Sequence, residues 1–298
     1  MKLYFKIFFV LLLACYPSIV FSGKSQKIIL TGTQKTGSYE FVKELARIWE
    51  SSLKDRKVEF VPSPEISSLT RLRKLENNRV AGAIIDAETA HLELEKYPGL
   101  QVLSILWSNW LIILGTIPGP YLSLSETKTM LVHENSLHFA TAWNKLVSDT
   151  NFSWFNSNNL PIFSEGFSED ILILTAPVPV KEINHWIEQF PGIKLLSLDR
   201  KLVKILRSKF KWLVPKKIPA NIFHYQNKPL QSVIWHPVLV VRKDFPISEA
   251  TKLLQLLYAQ RNSLISHPLF YNLKPTDNLL YQKIYASHPA TKSMFKLK

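Results

Sequence analysis

The chain alternates apolar strand segments with amphipathic helical segments, and the segment Pro118-Gly119-Pro120 interrupts this order. An alternating order predicts a mostly parallel sheet. At 298 residues the chain has room for two such lobes. We therefore expect two α/β lobes, with one crossover at Pro118-Gly119-Pro120 and a return crossover within residues 233–237. The predicted strands cover residues 27–31, 58–61, 80–85, 102–106, 110–117, 128–132, 170–174, 193–198 and 233–241.

The first 22 residues predict a targeting segment. Lys2 and Lys6 form a positive start, residues 7–14 are an unbroken apolar run, and Val20-Phe21-Ser22 places small residues before Gly23. The single cysteine, Cys15, lies inside this segment, so the processed chain has no disulfide, and we expect a periplasmic protein. An alternative interpretation is a lipoprotein, because Leu12-Leu13-Ala14-Cys15 resembles a lipobox in which Cys15 carries the lipid.

Positive charge dominates the chain: 37 Lys and Arg against 23 Asp and Glu give a formal net charge of +14. Such a surface attracts anions. The basic residues are spread out, and the densest spots, Lys54–Lys57, Arg71–Lys74 and Arg207–Lys211, are too short for a nucleic-acid tail. We therefore expect no nucleic-acid partner. After residue 22, no apolar run approaches the roughly 20 residues that cross a bilayer.

A loop containing two glycines, residues 32–39, connects the first predicted strand to a helix. Ser38 is suited to cap that helix. Backbone N–H groups at such a helix N-terminus face outward beyond the strand, where they hold a carboxylate or a phosphate, and Lys35 adds a cation. The spacing of Gly32 and Gly37 does not match a nucleotide-binding loop, so an ordinary strand-to-helix turn is the competing interpretation.

An enzyme is the main competing class of protein. The segment from His133 to His138 resembles a zinc signature with one residue too many, because positions five apart lie roughly 140° apart on a helix and cannot share a metal. The chain has no Gly-x-Ser-x-Gly elbow and no phosphate loop. A serine triad assembled from scattered residues stays open. We expect no enzymatic activity, no metal and no cofactor.

Several stretches, taken in order, resemble the TAXI group of solute-binding proteins of TRAP transporters: Gly32…Gly37-Ser38-Tyr39, residues 67–75 with Ala83-Ile84-Ile85-Asp86, residues 192–199, and Pro215…Ile218-Pro219-Ala220…Tyr225…Val238-Leu239-Val240-Val241-Arg242. The resemblance covers most of residues 27–268. It implies a type II periplasmic binding protein fold, in which two α/β lobes joined by two hinge crossovers close on a small organic anion such as glutamate or a dicarboxylate. The anion then passes to a sodium-coupled membrane permease.

This resemblance implies a function of binding rather than chemistry. We expect residues 1–22 to be a signal peptide, residues 23–117 with 235–298 to form lobe 1, residues 118–234 to form lobe 2, and the protein to be a monomer. The predicted ligand-binding residues are Gln34, Lys35, Thr36, Gly37, Ser38, Tyr39, Ser67, Ser68 and Asp86 in lobe 1, with Asn135, Ser136 and Thr175 in lobe 2. Competing structural roles are core packing for Tyr39 and helix capping for Ser67, Ser68 and Asp86.

Two loops depart from the family's pattern. Gln34-Lys35-Thr36 stands where the family usually has more glycine, and His133-Glu134-Asn135-Ser136 stands where its second-lobe loop is typically rich in glycine and serine. Glu134 repels an anionic ligand unless a cation compensates. These departures keep a second function open, a two-lobed sensor or adaptor that signals to a membrane partner.

Overall fold

The computed structural model describes residues 27–31, 43–48, 58–62, 67–77, 79–117, 119–122, 129–133, 140, 143–146, 151–155, 171–176, 181–190, 192–259 and 277–295. The described strands are β1 (Lys27–Thr31), β2 (Val58–Pro62), β3 (Gly82–Ile85), β4 (Leu100–Ile105), β5 (Asn109–Gly115), β6 (Tyr121–Leu122), β7 (Thr129–His133), β8 (Asn151–Phe155), β9 (Ile171–Ala176), β10 (Lys194–Leu195), β11 (Ser197–Leu198), β12 (Val214–Ile218), β13 (Leu230–Trp235) and β14 (Val238–Arg242).

Helices follow several of these strands, as the apolar spacing predicts. Residues 43–48 are helical and bury Leu45 and Ile48. The other described helices are α1 (Ser68–Glu76), α2 (Ala87–Glu93) with a 3-10 turn at Leu94–Lys96, α3 (Lys181–Gln189), α4 (Arg200–Lys209), α5 (Ile247–Ala259), α6 (Asp277–Tyr281) and α7 (Pro289–Met294). Within this described set, no helix combines the length and the apolar composition that a bilayer crossing requires.

The first sheet has the strand order β2-β1-β3-β14-β4. β1 pairs in parallel with β2 and β3, whereas β14 is antiparallel to both β3 and β4. Gly82 of β3 allows close approach of β14, because a Cβ there would lie 3.3 Å from the carbonyl oxygen of Val240. β14 is therefore an inserted strand, which comes back from later in the chain to lie between β3 and β4.

The second sheet repeats this arrangement. Its order is β12-β13-β5-β9-β7-β8, with β7 parallel to β8 and β9, and with β5 antiparallel to both β9 and β13. In each sheet, a strand delivered by the other half of the chain lies between the third and fourth strands. This reciprocal exchange defines a type II periplasmic binding protein fold, and the predicted fold class is confirmed.

The hydrophobic core is divided between the two sheets. One cluster joins the first sheet to α5 and to the C-terminal segment, and it includes Leu72, Ile85 and Leu254. The second sheet is covered on both faces, because side chains alternate along a strand: Leu111 and Ile113 of β5 belong to one cluster, whereas Trp110, Ile112 and Leu114 belong to another. β5 is a central strand of the second sheet.

The membership of β5 changes the predicted lobe boundary. Residues 110–117 were expected in lobe 1, but the strand that contains them pairs with β9 and β13 of the second sheet. The chain therefore changes sheets at residues 106–108, before Pro118-Gly119-Pro120. The return lies at His236-Pro237, between β13 and β14, close to the predicted boundary of 234/235. We propose residues 109–235 as lobe 2.

Candidate functional site

Strands β1 to β4 of the first sheet end at the same edge. They run in one direction, because β1 is parallel to β2 and β3 while β14 is antiparallel to β3 and β4. Thr31, Pro62, Ile85 and Ile105 therefore mark one carboxyl edge of the sheet. In open α/β sheets, ligands bind outside this edge.

The second sheet has an equivalent carboxyl edge. β7, β8, β9 and β13 point in one direction, and β5 begins where they end. At this edge Asn109 pairs with Trp235, and Trp110 pairs with Ala176. Each lobe therefore offers the edge at which this kind of sheet binds ligands.

Two short crossovers join these edges. One consists of Leu106, Trp107 and Ser108, and the other consists of His236 and Pro237. They run side by side, because the Leu106 N–H donates to the Pro237 carbonyl oxygen at 2.8 Å. Since each crossover leaves one carboxyl edge and enters the other within two or three residues, the two edges lie next to each other. The space between them is the candidate functional site.

A buried histidine holds the crossovers together. His236 is 1% exposed, and its Nδ1 lies 2.9 Å from the carbonyl oxygen of Trp107 and 3.3 Å from Oγ of Ser108. A carbonyl oxygen can only accept, so Nδ1 carries the proton and donates it to Trp107. Burial lowers the pKa of His236 to about 3; the charge of Lys216 also lowers it, while the hydrogen bond to Trp107 opposes the shift. The ring is therefore neutral at pH 7.

The C-terminal segment, residues 277–295, packs on the first sheet and contacts the crossovers. The ring of Tyr281 meets His236 edge to face at 5.3 Å and stacks on Tyr285 at 5.8 Å. The Tyr285 hydroxyl donates to the carbonyl oxygen of Ala87 at 3.2 Å, next to Asp86. Burial raises the pKa of both tyrosines. The two crossovers, residues 106–108 and 236–237, form the hinge between the two sheets. The hinge and the start of α2 thus both contact the pair Tyr281 and Tyr285.

Most of the predicted ligand residues fall outside the described residues. This applies to Gln34, Lys35, Thr36, Gly37, Ser38, Tyr39, Asn135 and Ser136, as well as to Glu134 and the signal peptide. Thr175 lies on β9, paired with Leu111 and one residue before the carboxyl end of the strand. Its backbone therefore reaches the edge that faces the first lobe.

The structure brings Ser68 and Asp86 together. Oγ of Ser68 accepts the backbone N–H of Asp86 at 3.1 Å and the guanidinium of Arg71 at 2.7 Å. Nε of Arg71 also donates to the carbonyl oxygen of Ile84 at 2.8 Å. Ser68 and Arg71 are both buried, at 4% and 6% exposure. These three hydrogen bonds connect the first turn of α1 to the carboxyl end of β3.

Asp86 and Ser67 both lie near the carboxyl edge of the first sheet, but only Asp86 caps a helix through its side chain. Asp86 is the N-cap of α2, and its carboxylate accepts the backbone N–H and the hydroxyl of Thr89 at 2.8 Å and 2.9 Å. The capping alternative for Asp86 is therefore observed. Ser67 precedes α1, is exposed, and makes no side-chain cap hydrogen bond.

Ser68 and its neighbour Ser67 provide a matched test of these hydrogen bonds. Replacing Ser68 with Ala removes the acceptor of two hydrogen bonds, one from the Asp86 N–H and one from the buried Arg71 guanidinium, so we expect Ser68→Ala to lower the free energy of unfolding by about 1–3 kcal/mol. Ser67→Ala changes an exposed side chain and is expected to change it by less than about 0.5 kcal/mol. Urea unfolding followed by circular dichroism compares the two. Equal effects of the two substitutions would contradict the role of Ser68.

The sequence places the return crossover within residues 233–237, but it indicates no role for His236 itself or for Tyr281. The available signal was the pair His236-Pro237, a polar residue and a strand breaker between two apolar strands. A polar side chain in such a place is either exposed or hydrogen-bonded inside the protein.

The described residues contain no cluster of side chains suited to bind a metal ion. No group of three His, Cys, Asp or Glu side chains among them is arranged to hold an ion. His133 ends β7, whereas His138 lies outside the described residues. The arrangement at the two edges instead provides helix N-termini and polar side chains, which suit a hydrogen-bonded organic ligand.

Comparison with known proteins adds structural likeness only. No protein-family model and no curated protein matches the chain. Similar solved structures include the GluR0 ligand-binding core with L-glutamate (12% identity, 84% of this chain and 99% of that chain, TM-score 0.47). The amino acid transporter protein AbpA from Streptococcus pneumoniae with L-arginine (12%, 83% and 94%, 0.43) and the aliphatic sulphonate binding protein SsuA from Escherichia coli (11%, 87% and 84%, 0.44) are also similar.

Proposed function

We propose that the protein is an extracytoplasmic solute-binding protein that captures a small organic anion, such as an amino acid or a dicarboxylate, between its two lobes. One observation carries the proposal: both crossovers join the carboxyl edges of two topologically equivalent sheets. A ligand between these edges contacts both halves of the chain. The net charge of +14 favours an anion.

Closure of the lobes on the ligand is the proposed mechanism. A ligand drives closure only if it binds the closed form more tightly, which here requires contacts with both lobes. The pivot is the pair of crossovers at residues 106–108 and 236–237, and not Pro118-Gly119-Pro120. The buried hydrogen bond of His236 to Trp107 keeps the two crossovers aligned while the lobes move.

Ligand recognition is assigned to groups at both edges. In lobe 1, the N–H groups of residues 36–39 and the ammonium of Lys35 bind the carboxylate, with Ser67 and Asp86 beside them. In lobe 2, residues 135–136 and Thr175 contact the other end of the solute. Ser68 acts mainly by holding the Asp86 backbone in place.

The lysine in the first loop provides the direct test. We expect saturable binding of a small carboxylate, and a fall in affinity of roughly tenfold or more for Lys35→Ala, since a charge-assisted hydrogen bond contributes about 1.5–3 kcal/mol. Calorimetry against amino acids and dicarboxylates measures both. Lys252→Ala on α5 removes an exposed lysine remote in sequence from the loop and is expected to leave the affinity unchanged.

The same experiment separates the two candidate functions. A folded protein that responds to no carboxylate contradicts the solute-binding proposal and favours a sensor or adaptor. The proposed partner, a TRAP-type membrane permease, is tested by reconstitution: uptake of the bound solute into vesicles is expected to need the permease, sodium and this protein together. Periplasmic location, with Cys15 lipidation as the alternative, is tested by fractionation and mass spectrometry.

A further inference from the structure

Helix α4 carries a dense group of positive charges. Between Asp199 and Lys211, the chain has six cations and one carboxylate. All six side chains are exposed, and we call them the α4 basic patch: Arg200, Lys201, Lys204, Arg207, Lys209 and Lys211. The patch lies in the second lobe, on a helix that packs against β12 and β13.

The patch forms a stripe along the helix. Leu202, Val203 and Leu206 are buried and define the inner face of α4. At about 100° per residue, Arg200 and Lys204 fall with Arg207 within an arc of roughly 60°, which lies beside this inner face. Three cations therefore line up on the exposed side of the helix.

This arrangement works against the helix that carries it. Like charges three or four residues apart repel each other on a helix surface, and Arg200 and Lys201 stand in the first turn, where the helix dipole favours acids. The first turn contains no acid, and Asp199 makes no side-chain cap hydrogen bond. In the last turn Arg207 and Lys209 match the helix dipole, but the repulsion between the cations of the first turn and Lys204 remains, which is consistent with contact to something outside the protein.

Two exposed cations elsewhere in the chain form ion pairs with a nearby carboxylate. Arg47 pairs with Glu44 at 2.6 Å, and Lys96 pairs with Glu93 at 2.8 Å, both at a spacing of three residues. In the described part of the chain, no carboxylate forms an ion pair with a residue of the α4 basic patch. The patch therefore differs from these two pairs, because six clustered cations have no carboxylate partner among the described residues.

An exposed aromatic residue lies beside the first turn of α4. Tyr121 is 59% exposed and pairs with Ser197 of β11, the strand that leads into the helix. The backbone N–H of Asp199 also donates to the carbonyl oxygen of Leu122 at 3.1 Å. A tyrosine has an apolar ring and a polar tip, which suit the level of lipid headgroups.

We propose that the α4 basic patch, together with Tyr121, binds the surface of a membrane that contains anionic lipids. Clustered Lys and Arg side chains are attracted to such a surface, and the attraction combines with any separate anchor. Exposed cations next to an exposed aromatic residue suit a fluid layer of phosphate groups.

Vesicle flotation tests this proposal. The exported protein is mixed with vesicles of phosphatidylcholine alone or with 30% phosphatidylglycerol (about a third anionic lipid, enough for a negative surface potential). We expect binding that requires phosphatidylglycerol and that is lost at about 0.5 M salt. The triple variant Arg200→Glu, Lys204→Glu, Arg207→Glu is expected to bind at least about tenfold more weakly. Tyr121→Ala is expected to weaken binding by a few fold.

A matched triple variant controls for net charge. Lys228→Glu, Lys252→Glu and Lys292→Glu change three exposed and scattered lysines by the same total charge, and they are expected to change binding by less than about twofold. Any part of residues 1–22 that the exported protein retains is the same in every variant, so its contribution cancels. Equal loss in both triple variants, or equal binding to both kinds of vesicle, would overturn the proposal. Unchanged melting temperatures verify that the variants fold.

Discussion

Acidification from pH 7 to pH 4 is expected to lower the free energy of unfolding through His236 by about 3 kcal/mol. The pKa of this buried ring is lowered to about 3 in the folded protein, whereas the unfolded chain has the ordinary value of about 6.5. The neutral ring therefore contributes its full stabilisation above pH 6.5. This contribution is lost as the pH falls from 6.5 towards 3, because the unfolded state takes up the proton first.

The variant His236→Asn isolates this effect. Its amide N–H can replace the Nδ1–H donor to Trp107, but it does not titrate. His288 and Asp244, whose pKa values are also lowered, remain in both proteins, so their contribution cancels in the comparison. We expect the variant to lose about 3 kcal/mol less between pH 7 and pH 4.

Urea unfolding at a series of pH values measures the difference. His185→Asn changes an exposed histidine on α3 and serves as the control. The account of the hinge is wrong if His236→Asn keeps the full acid sensitivity of the unmodified protein. A shift of the unfolding midpoint with an unchanged m-value confirms that stability has changed and that the extent of unfolding has not.

Loss of the Tyr281 ring is expected to be the most damaging substitution at the hinge. The residue is 2% exposed, and its ring contacts both His236 and Tyr285. We expect Tyr281→Ala to lower the free energy of unfolding by about 3–5 kcal/mol, because it removes a buried aromatic ring and leaves a cavity. Solute affinity should also fall, since the cavity lies under one of the two crossovers.

Tyr281→Phe is the matched control for the ring. Its hydroxyl oxygen is buried and makes no hydrogen bond to any residue that the structure describes, although the His236 backbone amide lies close to it. Removing an unpaired buried hydroxyl costs little or even stabilises, so we expect a change within about 1 kcal/mol. Thermal and urea unfolding compare the two variants. A large loss in Tyr281→Phe would show that the hydroxyl, and not the ring, supports the hinge.

The local hydrophobic pattern of the sequence predicted most of the strands, but it did not predict which strands pair with each other. The apolar run at residues 193–198 was interpreted as one strand, whereas the structure divides it into β10, which pairs with β5, and β11, which pairs with β6. The run at residues 233–241 likewise contains two strands that belong to different sheets. Hydrophobic periodicity reports burial along a segment, and it carries no information on the neighbour that provides the burial.

One structural role at the candidate site was foreseen from the sequence. Helix capping by Asp86 was an alternative there and is observed, whereas ligand binding by Ser67, in the first lobe, and by Thr175, in the second, stays a prediction. The bond of Ser68 to Asp86 joins positions 18 residues apart in the chain, and that of His236 to Trp107 spans 129 residues. Contacts at such separations follow from the packed fold and leave no periodic signal.

The sequence by itself determined that the chain forms alternating α/β units in two halves, because strand and helix periodicity, Pro118-Gly119-Pro120 and the positive charge are local or summed properties. The tertiary structure decided where the halves exchange strands and which side chains hold the crossovers. Exchange of β5 and β14 depends on pairing between strands far apart in sequence, and the burial of His236 depends on both lobes at once. The return crossover could be placed within residues 233–237 from the sequence, whereas the contacts that hold the two crossovers together exist only in the folded chain and could be identified only there.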